Sequence, residues 1–319
     1  MASSPSSPRT LASACESPSP PEAMPPHSRS QGRDVHIYDR KDSTEIGGLI
    51  LRPGVTNANF YAMIEIIVIF QSSFFLQDEN ETRIEKDDQP LQPGKYYIVA
   101  SQPFHLNNEQ VVARTITQST GTRTHAFQDA VRLRDRQCII SGQPVPRLGG
   151  DYLWRRFEAA HIFPIAKEDL WRDYNYDRWI TIPPRWGGSI NSVQNGLLLK
   201  RDIHALFDAF DISINPDDNY KVVAFTLVED DFEGKYLDRE LFTRPDAPID
   251  QLLRWHFRQA VLTNMRGAGE PIFEDDFPPG SDIVGQILRG PKAGERMEFE
   301  LFNRLGAQME LFPTAGEGQ

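Results

Sequence analysis

The longest apolar run, from Phe60 to Leu76, does most to limit what this chain can fold into. At about 17 residues, it is near the lower limit for a membrane-spanning helix. Glu65 and Gln71 interrupt the run, and a charged side chain is costly in the hydrocarbon of a bilayer. The run therefore predicts a buried strand or helix. We expect a soluble, intracellular protein without a membrane partner, in the nucleus or the cytoplasm.

The cysteine count limits the kinds of cross-link that can hold the fold. Cys15 and Cys138 are the two cysteines, and Cys15 lies in a Ser- and Pro-rich stretch. Such a pair excludes a disulfide framework and a structural zinc site of the Cys₄ or Cys₂His₂ type. We therefore expect no structural zinc, and the cysteine usage fits a reducing compartment.

Composition divides the first part of the chain into three segments. Residues 1–32 contain nine serines and seven prolines without an apolar run, which predicts a disordered tail and no secretory signal. Residues 33–100 alternate short apolar runs with turn-like segments, which predicts a β-rich N-terminal domain. Residues 101–124 are rich in Thr, Ser, Asn and Gln and predict a linker.

Residues 125–266 predict a second domain of mixed helices and strands. Its expected elements are a helix over residues 125–136, an antiparallel hairpin over residues 211–225, and an amphipathic helix over residues 249–265 that ends at Arg266-Gly267. Residues 267–319 are acidic and predict a largely extended segment, with a short helix at 295–305. The overall fold class is therefore expected to be α+β.

Positive charge is concentrated in one segment of an acidic chain. Residues 131–205 carry 12 Lys and Arg against 8 Asp and Glu, whereas the whole chain has a net charge of −11. This pattern is expected if phosphate is bound locally, although ordinary variation of surface charge would also produce it. The candidate phosphate-binding side chains are Arg132, Arg134, Arg136, Arg155 and Arg156.

Three segments of this region carry the residue types of a hydrolytic site. The run at 138–142 (CIISG) predicts an apolar strand that enters a turn, and the run at 157–164 predicts a strand with His161 near its end. In the run at 195–208, Asp202 is a natural N-cap for a helix on which His204 and Asp208, four residues apart, share one face. An imidazole and a carboxylate so placed suit a divalent cation, and a strand–turn–strand–helix unit could bring His161 close to it.

These segments resemble the HNH endonuclease domain. The resemblance rests on the AAHI-x-P element around His161, the Asn-Gly-Leu-Leu-Leu run that begins at Asn195, and the H-x-x-x-[FD] helix with His204 and Asp208. Most of residues 34–305 also resembles a group of uncharacterised fungal HNH-domain proteins. The resemblance implies a ββα-metal module with flanking helices, placed after the β-rich N-terminal domain.

The resemblance also implies a role for each matched residue. His161 would be the general base that activates water, and Asn195 would brace the loop that holds this histidine. His204 and Asp208 would hold one divalent ion, Mg²⁺ or alternatively Mn²⁺, which stabilises charge on the scissile phosphate and on the departing 3′ oxygen. The implied activity is endonucleolytic cleavage of a nucleic acid, with DNA as the expected partner.

One departure from the family pattern leaves a second function open. Many HNH nucleases have a metal ligand immediately before the base, where this chain has Ala160. By strand alternation, Glu158 shares the face of Ala160 and is a candidate metal ligand in its place. The alternative is a degenerate HNH fold that binds nucleic acid or protein without cutting it.

Each candidate residue also has a purely structural interpretation. His161 could be a core histidine, His204 and Asp208 a surface pair on a helix, and Asn195 part of a simple turn. His256 is expected to be a packing or surface residue of its helix. The tryptophans of the region are expected to anchor loops more often than to stack on bases.

Overall fold

The structure is a computed structural model and describes residues 29–112, 122–185, 187–228 and 231–269. The predicted tail up to residue 28, linker residues 113–121, Trp186 and the acidic segment from residue 270 with its short helix lie outside the described residues. Helices and strands both occur across the described part, so the predicted α+β class is confirmed.

The N-terminal part contains one helix and seven strands, and it is β-rich as predicted. Its elements are β1 (Val35–Asp39), β2 (Glu45–Leu49), α1 (Asn57–Ile67), β3 (Val68–Ile69), β4 (Phe74–Gln77), β5 (Arg83–Ile84), β6 (Gly94–Ala100) and β7 (His105–Leu106). Five of the strands form a sheet of order β2-β1-β6-β4-β5, in which only the β1–β6 pair is parallel. The short strands β3 and β7 pair separately.

The apolar run folds as helix and strand together. The first part of the run lies in helix α1, and the rest forms β3, a turn and most of β4. The helix begins at a capping box, because the Thr56 hydroxyl accepts a hydrogen bond from Asn59 N and the Asn59 side chain accepts one from Thr56 N. The prediction of a buried strand or helix is therefore confirmed. Across the described ranges, no helix combines the length and apolar character needed to cross a membrane.

The second part of the chain packs its elements around a β-hairpin that is followed directly by a helix. The elements are α2 (Thr122–Asp135), β8 (Arg147–Leu148), β9 (Asp151–Tyr152), β10 (Phe157–His161), α3 (Glu168–Asp173), β11 (Gly196–Lys200), α4 (Arg201–Asp208), β12 (Ile212–Asn215), β13 (Lys221–Ala224), α5 (Arg239–Phe242) and α6 (Asp250–Met265). The predicted hairpin, now β12 and β13, and the predicted C-terminal helix, now α6, are both confirmed.

The predicted strand at Cys138–Gly142 is wrong, because this segment is a turn. Cys138 N donates to Gln143 O, Gly142 N donates to Cys138 O, and Gly142 has a φ of 71°. The apolar side chains are buried because the turn packs on the hairpin, where Ile139 N donates to Leu198 O. A run of three apolar residues fits such a buried turn as well as it fits a strand.

The predicted N-cap at Asp202 is also wrong. Helix α4 begins at Arg201, and Lys200, still extended, is the residue before it. Strand β11 runs directly into the helix, so Asp202 falls in the first turn, where its carboxylate pairs with Lys200 Nζ at 2.9 Å. An acidic group in the first turn still stabilises the helix through its dipole.

Helix α6 belongs to two hydrophobic cores. Leu252, Leu253 and Trp255 pack in the core around the β10–β11 hairpin. Val261 and Met265, further along the helix, pack in the core of the N-terminal sheet. Because one rigid helix serves both cores, the N-terminal sheet and the β10–β11 region are held in a fixed relation to each other.

A buried polar contact adds to this connection. Lys221 of β13 is almost fully buried and pairs with Asp218 at 2.5 Å. Its Nζ also donates to Asn59 Oδ1 of α1 at 3.1 Å. A buried ammonium group is tolerated only when it is paired in this way, so Lys221 links the two parts of the chain.

Candidate active site

The scaffold of the site is an antiparallel pair of strands followed by a helix. Strands β10 and β11 pair with His161 opposite Gly196 and Glu158 opposite Leu199. Helix α4 begins immediately after β11 and packs against both strands. Helix α2 also packs against both strands. The order strand, strand, helix is the one that the ββα arrangement requires.

His161 ends β10 and is held by two neighbours. The ring of Phe127, from α2, stacks on its imidazole with centroids 3.8 Å apart and an angle of 10° between the planes. His161 Nε2 lies 3.3 Å from Asn191 Oδ1 in the loop that joins β10 to β11. The imidazole is only partly buried, so water can approach it.

Gly196 makes the close packing beside His161 feasible. A Cβ atom at this position would lie 2.6 Å from Val131 Cγ2 and 2.7 Å from the Phe127 ring. Real Cβ atoms do not approach other atoms so closely, and the atoms in the way belong to the ring that stacks on His161. Glycine therefore lets the Phe127 ring and Val131 pack opposite the histidine without being displaced.

Asn195 is completely buried and holds the chain just beyond His161. Its Oδ1 accepts from Phe163 N at 2.8 Å, and its Nδ2 donates to Phe163 O at 3.1 Å and to Ile190 O at 2.9 Å. Asn195 O also accepts from Ile162 N at 2.9 Å. All these bonds go to backbone groups, which is the arrangement expected of a bracing residue.

Glu158, His204 and Asp208 form one chain of contacts. Glu158 Oε2 lies 2.9 Å from His204 Nδ1, and Asp208 Oδ2 lies 3.2 Å from His204 Nε2. The side chains of Glu158, His204 and Asp208 are 35%, 22% and 17% exposed, respectively. The structure therefore brings these three predicted residues together, and it places His161 and Asn195 at the two ends of the loop that joins β10 to β11.

Residues 138–215 match the family model described as HNH endonuclease. This segment is an HNH domain. Residues 32–105 match a second family model, described as a domain of unknown function, DUF8573. No curated protein and no solved structure matches the chain. An HNH domain indicates a nuclease-type function on nucleic acid, and domains of this family generally use a divalent metal.

The ionisation of the HNH domain's central histidine is set by opposing effects. Burial lowers the pKa of His204, but hydrogen bonds to Asp208 and Glu158 and the charges of both carboxylates outweigh burial and raise the pKa to about 9. The hydrogen bond with His204 holds the pKa of Glu158 below its usual value, and Arg201, at 2.7 Å, acts in the same direction. Without a metal ion, the three side chains therefore form an ion-pair network at neutral pH.

The donor atoms of this network suit a hard divalent ion. Mg²⁺ binds oxygen and nitrogen at about 2.1 Å in octahedral geometry, so two neighbouring ligand atoms at 90° lie about 3.0 Å apart. The separation of His204 Nε2 and Asp208 Oδ2, 3.2 Å, is close to that value and is also the length of their ion pair. Among the described residues no group of three His, Cys, Asp or Glu side chains is arranged to hold a metal. Glu158, on the other nitrogen of the ring, does not complete such a group.

One arginine predicted to bind phosphate is instead structural. The side chain of Arg134 is 1% exposed and pairs with Asp135 at 2.5 Å. Its guanidinium also donates to the carbonyls of Val193 and Gly196, at 2.8 and 2.6 Å. The prediction for Arg134 is therefore wrong, because burial and these partners keep it from solvent phosphate.

His256 was predicted to be a packing or surface residue, and the structure shows that it packs. This histidine of α6 is fully buried, and its ring stacks on Phe207 of α4 with centroids 3.6 Å apart. Its Nε2 lies 3.0 Å from Phe207 O and its Nδ1 lies 2.7 Å from Ser213 Oγ. His256 is thus a packing residue that fixes the end of α4 next to Asp208. No local sequence signal distinguishes it from other helical histidines.

Two tryptophans of the HNH domain, Trp171 and Trp179, anchor loops, as predicted. Trp171 is buried and donates from Nε1 to Ser189 Oγ at 3.0 Å. Trp179 stacks on Tyr176, which in turn packs on Phe163. This packing fixes the long loop beyond His161.

Proposed function

We propose that the HNH domain is an endonuclease that hydrolyses phosphodiester bonds in DNA with the help of one divalent ion. The observation that carries the proposal is the His204–Asp208 pair at the spacing of two adjacent metal ligands, on the helix that directly follows the hairpin with His161. The match of residues 138–215 to the HNH endonuclease family supports it.

His204 and Asp208 would hold the ion, either Mg²⁺ or Mn²⁺. When bound, such an ion stabilises negative charge on the scissile phosphate and on the departing 3′ oxygen. The sequence pattern made Glu158 a candidate ligand, but its position at His204 Nδ1 favours an orienting role. A carboxylate on the second nitrogen of a ligating histidine fixes both the tautomer and the direction of the ring.

His161 would be the general base. Asn191 Oδ1, 3.3 Å from Nε2, would orient the imidazole. The neutral ring has one nitrogen with a lone pair that could accept a proton from the attacking water. The Phe127 ring fixes the plane of the imidazole, and Asn195 holds the backbone that follows it, so the base is positioned before the substrate arrives.

Nicking of supercoiled plasmid by the full chain, with Mg²⁺ or Mn²⁺, tests this proposal. We expect nicking that EDTA and His161→Ala both abolish, because a general base typically contributes 10²–10⁴-fold to the rate. His36→Ala is the matched control, since it removes a partly exposed histidine of the N-terminal sheet and should leave nicking unchanged.

A non-cutting HNH fold is the second candidate function. It is favoured by Ala160, which is fully buried at the position where many HNH nucleases carry a metal ligand. A folded protein that binds DNA but does not nick it with any divalent ion would support this second candidate and contradict the first.

A further inference from the structure

Four side chains near the start of the HNH domain form a continuous stack of arginines and aromatic rings. The Arg132 guanidinium lies over the Trp154 ring, 5.0 Å from its centroid, and the Trp154 and Tyr152 rings are 5.2 Å apart. The Arg147 guanidinium then lies 4.7 Å from the centroid of Tyr152. We call these four residues the arginine–aromatic stack.

The rings of the stack hold the two guanidinium groups in place. A guanidinium over an aromatic face is attracted to it and loses much of its rotational freedom. Arg147 also donates to Gly150 O at 3.2 Å, whereas the buried Nε of Arg132 has no hydrogen-bond partner among the described residues. Both cations are thus preoriented.

The segment that carries the stack is rich in positive charge, and Asp129 of α2 offsets part of this charge beside Arg132. Residues 131–156 contain six arginines and two aspartates, in a chain of net charge −11. Arg134 and Asp135 form a buried pair with each other, which leaves Asp151 as the remaining acid of that segment. Arg155 and Arg156, in the turn between the stack and β10, are both exposed.

The stack and the candidate base both contact α2. Arg132 lies on this helix five residues after Phe127, whose ring covers His161. Five residues of helix correspond to about 7.5 Å along the axis and to a rotation of about 140°, so the two side chains leave different faces of α2.

We propose that the arginine–aromatic stack, with Arg155 and Arg156, binds the phosphate backbone of the nucleic acid. Trp154 and Tyr152 are occupied by guanidinium groups and by each other, so they serve to position cations rather than to stack on bases. Binding at this surface is therefore independent of base sequence. This inference rests on the proposed function, because it takes DNA as the ligand.

The salt dependence of DNA binding tests this surface. The dissociation constant is measured by fluorescence anisotropy for two labelled duplexes of unrelated sequence, across about 50 to 200 mM salt. The full chain carries His161→Ala, and EDTA is present, so that no cleavage occurs. Each phosphate contact contributes about 0.9 to the slope of log affinity against log salt. We expect Arg147→Ala and Arg155→Ala each to lower the slope by about that amount, equally for both duplexes.

Arg83→Ala is the matched control, because it also removes one positive charge and one contact between a guanidinium and an aromatic ring. Arg83 lies 5.0 Å from the centroid of Phe75 in the N-terminal sheet, and its substitution should leave the slope unchanged. Arg147→Lys keeps the charge and should retain most of the slope. Arg147 and Arg155 are exposed, so their variants are expected to fold, which thermal melting verifies.

The outcomes separate this inference from the proposed function. If the wild-type chain nicks plasmid but Arg147→Ala and Arg155→Ala leave the slope unchanged, the surface is not a phosphate site and the nuclease proposal stands. A loss of slope that differs between the two duplexes also overturns the inference, because it shows that the surface recognises bases. If the variants lower the slope as expected but the wild-type chain never nicks plasmid, the result supports the phosphate-binding surface and counts against the nuclease proposal.

Discussion

The ring of Phe127 lies flat on the imidazole of His161, with centroids 3.8 Å apart. The two residues are 34 positions apart in the chain, and helix α2 brings them together. This contact gives the candidate base a fixed plane before any substrate binds. It also makes the packing around Phe127 a part of the candidate active site.

Gly196→Ala tests that packing. The added methyl group would meet the Phe127 ring and Val131, so we expect overpacking to cost about 1–3 kcal/mol in the free energy of unfolding. The displaced ring should also release His161 and lower the nicking rate. Urea denaturation and plasmid nicking measure the two effects. Adding Phe127→Leu should restore part of the stability, and no recovery would mean that the ring is not the obstacle.

Asn195→Ala should impair both folding and nicking. It removes the partners of Phe163 N, Phe163 O and Ile190 O, and leaving one buried polar group unsatisfied costs about 1–3 kcal/mol. Gln194→Ala is the matched control, because this buried neighbour also binds backbone groups, at Thr181, Ile182 and Pro245. We expect similar losses of stability but a larger fall in nicking rate for Asn195→Ala. Equal rates would show that bracing by Asn195 has no special link to His161.

Measurements of Mn²⁺ affinity should distinguish residues that ligate the ion from residues that only orient a ligand. We expect His204→Ala and Asp208→Ala to abolish measurable binding in calorimetry or electron paramagnetic resonance. Glu158→Gln should weaken binding by about 10–100-fold, the usual effect of losing the carboxylate behind a ligating histidine. Glu45→Gln is the control, since Glu45 lies 3.0 Å from His36 in a similar pair on the N-terminal sheet. If Glu158→Gln abolishes binding as completely as His204→Ala, Glu158 is a ligand.

Without divalent ions, the stabilising effect of His204 should depend on pH. Its pKa is raised from 6.5 to about 9 in the folded state, so the folded state holds the proton more tightly than the unfolded state. The stabilisation is therefore fully present below pH 6.5 and is lost as the pH rises through about 9. Urea denaturation of wild type and His204→Gln in EDTA, on both sides of this window, measures it. A difference in stability that stays constant with pH would contradict the assignment.

Local patterns in the sequence predicted much of the site. The four-residue spacing of His204 and Asp208 places both on one helical face, and the run at 157–164 predicted a strand with His161 near its end. The hairpin of β12 and β13 and helix α6 follow from periodicities of two and of about 3.6 residues. These features depend on neighbours within a few positions, so they can be read without knowledge of the fold.

Other features were decided by contacts between distant segments. Glu158 reaches His204 from 46 positions away and binds the ring nitrogen opposite to Asp208. Arg134 is one of the five arginines that the sequence predicted to bind phosphate. It is buried because its guanidinium donates to carbonyls of β11 and of the loop before it. The apolar run after Cys138 became a turn because it packs on the hairpin. The sequence by itself thus determined which residues are candidates for the chemistry. Tertiary packing decided which atoms face each other, because burial and pairing depend on segments far apart in the chain.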